Sequence, residues 1–348
     1  MVCTRGTFRA LCLLSLWLAW AGSTATADWT GQAFSIRPEQ PVDSPPVITG
    51  LALHPDGHRV AVAGDDHRVR ILDLESGEVV LALTEHADWV RSLAFSPSGQ
   101  LLASAATDGR LILWDPDNGN KLFQVAKLPH AISSIRFSHD GRYLAAVGFG
   151  EGVYVYDVET RKAQLRLSSP CLDMRALAFS ADRQLIAAGG RNGLVRLWSL
   201  VDGPVLREFA AHQRRIRGLA FSPDASTLVS CGEDGRIRVS RLDGEVDFVL
   251  TCPDAKVMSL AFCGPDQLAT GGSDNLIRIW DMNEQTETAR LAGHTGSVVA
   301  LDYTGNTLVS AGYDTTVRVW QRSQHVAEDP RALRERMGTR TELDIERP

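Results

Sequence analysis

One pattern recurs seven times along this chain, and no other feature narrows its fold so far. The segments ILDLESG, LWDPDNG, VYDVETR, LWSLVDG, VSRLDGE, IWDMNEQ and VWQRSQ align on Asp73, Asp115, Asp157, Ser199, Arg241, Asp281 and Gln321, at spacings of 42, 42, 42, 42, 40 and 40 residues. The same short runs follow one another within each period. In the second unit VRSLAFSP, LLASAA, LILW and KLFQV are separated by Pro-Ser-Gly, Thr-Asp-Gly and Asp-Asn-Gly. Runs of this length with such turn residues between them read as strands, four per unit in an antiparallel meander. Most runs are apolar on both faces, so each sheet must stack on a neighbour at either side, and radial closure leaves only short, protected edges. The expectation is an all-β protein, a seven-bladed β-propeller of four-stranded antiparallel blades. Helical repeats of similar period are excluded, because the runs are too short and too often broken by Gly and Pro.

Composition agrees with one closed domain. A chain of 348 residues that is 44% hydrophobic and 22% charged is close to the globular average, which excludes collagen-like, disordered and polytopic membrane classes. A net charge of −6 offers no cationic excess for phosphates, so nucleic acid is not an expected partner. Residues 1–27 read as a secretory signal: Arg5 and Arg9, then the apolar run ALCLLSLWLAWAG, then Ala25-Thr26-Ala27. That run is 13 residues long, short of the about 20 needed to span a bilayer. Its removal takes two arginines and no acid, shifting the net charge from −6 to −8. The expected product is exported, periplasmic or secreted, without a membrane span. Cys171, Cys231, Cys252 and Cys263 fit no redox or metal spacing and read as buried or lone thiols.

The repeats resemble those of the WD-repeat (Trp-Asp) propeller family, in an exported bacterial-type member. The Trp-Asp pair is intact at Trp114-Asp115 and Trp280-Asp281, Trp198 and Trp320 keep the Trp, and Gly293-His294 keeps the Gly-His start. The resemblance implies a hydrogen-bonded His, Ser/Thr, Asp and Trp set inside each blade. Its positions are His86, Ser104, Asp108 and Trp114; His212, Ser230 and Asp234 with Ser240 in the Trp place; Thr270, Asp274 and Trp280 with Pro253 in the His place; and His294, Ser310, Asp314 and Trp320. Gly150 and Asn192 stand where units three and four would carry the Asp. Repetition makes the Ser-His-Asp sets architectural, since a hydrolase needs one nucleophile, recognised by geometry and roles. The resemblance also implies that an N-terminal strand, QAFSIR with Phe34 and Ile36, completes the last blade. The layout is then signal 1–27, N-terminal segment with closing strand 28–46, seven units over 47–323 and a charged tail 324–348.

By the same resemblance, positions around the channel on one face fall at Trp89, Arg91, Phe149, Arg175, Arg191, Arg214, Arg215, Arg217, Lys256, Met258 and Tyr313. Aromatics and Arg are enriched at binding hot spots. An Arg group on an acidic chain suits a carboxylate, although exposed Arg also needs no partner. The recurrent Arg70, Arg196, Arg238, Arg278 and Arg318 read as framework, with stems packed between blades. The expected function is a non-catalytic, monomeric scaffold that binds a protein or peptide, possibly acidic. The alternatives are a propeller enzyme of hydrolase or lactonase type, or a metal site at the channel drawing on Asp65, Asp66 and His67. No H-E-x-x-H, C-x-x-C-H or G-x-S-x-G motif is present, and no cofactor is expected. Gly148-Phe149-Gly150-Glu151-Gly152 falls on a turn with no helix following, and so is not a phosphate loop.

Overall fold

The computed structural model describes residues 29–35, 46–169 and 171–322. The expected signal segment, the charged tail and Ile36 lie outside them. Seven four-stranded antiparallel sheets stand in a ring. Blade one is built from Ile48–Leu53, Arg59–Gly64, Val69–Asp73 and Val79–Leu83, and the order repeats through blade six. The inner strands, such as Val90–Phe95, Ile132–Phe137 and Met174–Phe179, line a central channel. Among the described residues no helix is long and apolar enough to cross a membrane.

The cores lie between the sheets. Blades one and two share Val69, Ile71, Val90, Leu93 and Ile112, all at most 1% exposed. Equivalent clusters fill the other junctions, and the junction of blades seven and one joins Val309 and Val317 to Ile48, Val60 and Val62. The middle strands are therefore apolar on both faces, as in Tyr143–Gly148, where all but the first residue are buried. Outer strands alternate or are exposed, as in Val205–Ala210, because only their inward side meets a neighbour. Hydroxyls on the inner strands stitch adjacent blades: Thr49 donates to the Val90 carbonyl, Ser133 to that of Met174, and Ser259 to that of Val298.

The last blade takes its fourth strand from the other end of the chain. Trp29–Ser35 pairs antiparallel with Thr316–Arg322, from Trp29 opposite Arg322 to Ser35 opposite Thr316. The strand thus begins three residues earlier than QAFSIR implied. Trp29 supplies the reason, packing on the cluster at the junction of blades six and seven. Gly31 sits across from Trp320, where an added Cβ would lie 2.6 Å from the indole. Gly31→Val should therefore destabilise the ring by about 1–3 kcal/mol through overpacking, seen as a lower Tm. An unchanged Tm would show that this strand does not close the blade.

Candidate functional site

The His-containing sets form directed chains. An indole N–H can only donate, so Trp114 Nε1 donates to Ser104 Oγ at 2.8 Å. That leaves the serine proton for His86 Nε2 at 2.7 Å, which places the imidazole proton on Nδ1, facing Asp108 Oδ2 at 3.3 Å. Asp108 also accepts the amides of Ala87 and Arg110, tying the incoming loop to the turn. Blade seven repeats the chain through Trp320, Ser310, His294 and Asp314 at 2.9, 2.8 and 3.0 Å. Blade five keeps His212 with Ser230 at 2.9 Å and Asp234 at 2.8 Å. Blade six joins Trp280 to Thr270 at 2.8 Å, and Arg278 replaces the His by pairing Asp274 at 2.5 Å. The serines are 0 to 2% exposed, so these sets act as internal braces.

The degenerate units differ in physical detail. Blade four carries Ala188 at the Ser position, opposite Arg196, and Trp198 Nε1 has no hydrogen-bond partner among the described residues. In blade three His130 fills the space that an acid would need: a Cβ on Gly150 would lie 1.9 Å from its Nε2. His130 stands two residues beyond the His register, which hides it in the repeat pattern. Two framework arginines, Arg70 and Arg278, are buried and paired with Asp66 and Asp274, while Arg196 pairs with Glu208. Asp65 is engaged by the Val47 amide, and among the described residues no three His, Cys, Asp or Glu side chains converge. The four cysteines are free thiols; burial pushes Cys252 up to about 11 and Cys263 up to about 12.

At the channel mouth, the structure places some of the expected residues together. Arg91, Arg175, Arg217, Met258 and Tyr313 line the channel. Trp89 stacks against Arg91 at 5.5 Å and Phe149 against Arg175 at 4.5 Å. Trp89, Phe149 and Tyr313 are 44%, 39% and 48% exposed. Arg191, Arg214 and Lys256 are exposed but outside the channel lining.

The Arg group is not a bare basic patch. Asp173 takes Arg175 at 2.5 Å and Arg215 at 3.0 Å, while Glu233 takes Arg215 at 3.3 Å and also Arg217. Burial works against ionisation of Glu233, yet Arg217 and Arg215 hold its carboxyl below the usual range. Both acids were legible: Glu233 occupies the position before the turn Asp, and Asp173 stands two residues before Arg175.

Burial lowers the pKa of His86, His212 and His294 against the opposing pull of their carboxylates. A depressed histidine pKa means that the unfolded chain takes up protons first. The stabilising contribution is complete above the unfolded value of 6.5 and is lost as pH falls through it towards the folded values. Tm should therefore decline between about pH 7.5 and 5, each histidine contributing up to about 1.4 kcal/mol per pH unit. A His212→Gln variant should show a shallower decline, and identical slopes would contradict the neutral imidazole in blade five.

The WD domain, G-beta repeat family matches residues 77–115, 123–157, 165–199, 203–239, 244–281 and 285–321, more than half of the chain. The anaphase-promoting complex subunit 4 WD40 domain family matches residues 32–89. The first repeat match, 77–115, runs from the outer strand of blade one through the third strand of blade two. Repeat and blade are thus one strand out of phase, which leaves the last blade a strand short. Among curated proteins, the chain is similar to ribosome biogenesis protein ytm1 of Aspergillus oryzae, 38% identical over 80 residues, 21% of this chain and 16% of that protein. The same-named protein of Meyerozyma guilliermondii is 34% identical over 90 residues, 23% and 20% of the two chains. The match thus spans a fifth or less of these relatives' length. Relatives named for ribosome biogenesis correct the expectation of a signal-bearing, secreted or periplasmic protein. The repeat matches and the ring of seven four-stranded blades have one conclusion: the chain belongs to the WD domain, G-beta repeat family.

Proposed function

We propose that the protein is a non-catalytic, monomeric interaction scaffold whose channel-mouth face captures a protein or peptide carrying acidic groups. The observation that carries this reading is a set of three exposed aromatics: Tyr313 in the channel lining, and Trp89 and Phe149 stacked on the lining arginines Arg91 and Arg175. Rigid rings held at a rim contribute contact area at little entropic cost. The proposed contact set is Trp89, Arg91, Phe149, Arg175, Arg191, Arg214, Arg215, Arg217, Lys256, Met258 and Tyr313. Asp173 and Glu233 pre-position the Arg175, Arg215 and Arg217 guanidinium groups, so that a partner carboxylate meets ordered donors. The enzyme alternative would need an accessible nucleophile, whereas Ser104, Ser230 and Ser310 are buried in the braces. The stretch shared with the ytm1 relatives amounts to about two blades and supports the scaffold rather than a particular process.

Affinity capture from a cell extract, followed by identification of the bound protein, tests the reading. A Trp89→Ala, Phe149→Ala variant should bind the captured partner about tenfold or more weakly at an unchanged Tm, because both rings are exposed. Equal capture by this variant would remove the face from consideration. Arg217→Gln should lower both binding and Tm, since it takes from Glu233 its closest cation.

A further inference from the structure

The two chambers of the channel meet at the fourth residue of the inner strands, where Leu51, Leu93, Leu219, Leu260 and Leu301 line both, and the fifth residues stand just below. Around the ring these residues are Ala52, Ala94, Arg136, Ala178, Ala220, Ala261 and Asp302. Five alanines keep the lumen open, and blades three and seven depart from them with opposite charges. Asp302 is committed to the seam between blades seven and one, accepting the Leu53 amide at 2.8 Å and the Tyr303 amide at 2.9 Å. Arg136 donates a hydrogen bond to the adjacent Ile135 carbonyl at 3.0 Å, and the carboxylate whose charge it feels is that of Asp302. A guanidinium carries five N–H donors. The Arg136 side chain is exposed to the lumen, where the surrounding inner strands draw its pKa below the ordinary value, against the Asp302 charge.

The upper chamber is lined by Arg91, Arg136, Arg175 and Arg217, with no Asp or Glu in its wall; Arg136 also reaches the lower chamber, the one that Asp302 lines. Three residues along a strand separate Arg136 from the Arg91 level, about 10 Å. The chamber measures about 200 Å³, smaller than the roughly 300–1,000 Å³ of a drug-sized site, but enough for one or two side chains. We infer that the upper channel receives a carboxylate from an extended acidic segment of the partner, seated on Arg136 below the mouth arginines. The inference rests on the scaffold reading and names what enters the channel. Two sources share this chemistry, an Asp or Glu side chain and a chain-terminal carboxylate.

The probe is a fluorescein-labelled acidic heptapeptide with a free C-terminus, measured by fluorescence anisotropy on the full chain. Wild type should bind it saturably, and Arg136→Gln should weaken binding about tenfold or more, with Arg136→Lys intermediate. Arg207→Gln, an exposed outer-strand change of equal charge, should match wild type. C-terminal amidation abolishing binding assigns the terminus, and amidation of the acidic side chains abolishing it assigns those. Absence of saturable binding, or equal binding by wild type and Arg136→Gln at equal Tm, overturns the inference. If Trp89→Ala, Phe149→Ala loses its captured partner while Arg136→Gln retains it, the scaffold reading stands and the channel inference fails.

Discussion

Everything in this molecule depends on sheets that are apolar on both faces. A blade such as the one containing Tyr143–Gly148 buries its middle strands only when another blade covers each side. The hydrophobic effect therefore operates across blade junctions rather than within blades, and a row of blades would leave two apolar faces in water. The seventh junction, where Val309 and Val317 meet Ile48 and Val62, removes both. A ring satisfies every blade at once, and the channel is what remains in the middle.

The braces add direction to that packing. Each complete chain runs from an indole N–H through a hydroxyl and an imidazole to a carboxylate, which then holds the loop arriving from the previous blade. Blades lacking one member solve the problem differently. Arg278 supplies the cation beside Asp274 in blade six, whereas Trp198 in blade four relies on apolar packing around it. What the blades share is buried volume; the hydrogen-bond pattern varies over it.

Most of the architecture was readable from the sequence because strand runs, turn glycines and the 40 to 42 residue period all follow local rules. The early start of the closing strand was less legible, since it depends on Trp29 reaching the cluster between blades six and seven. The Arg group was read as a bare cationic sector because an alignment records residue types and not pairs. Asp173 and Glu233 neutralise much of it across blades four and five. Arg136 was missed for the opposite reason: a single Arg among alanines is conspicuous only once the inner strands are superposed around the ring. The export reading came from the first 27 residues alone, and relatives matched through the repeats overturned it.

The pairing of Trp29 with Arg322 has a topological consequence. Both ends of the described chain leave the disc side by side, on the outer edge of one blade and away from the channel lining. Whatever continues from Trp29 or from Arg322 sets out from the same point on the circumference. Joining the two ends and reopening the chain at another turn between blades would preserve every junction. The order of blades around the circle is fixed, but the place where the circle begins is a matter of strand pairing alone.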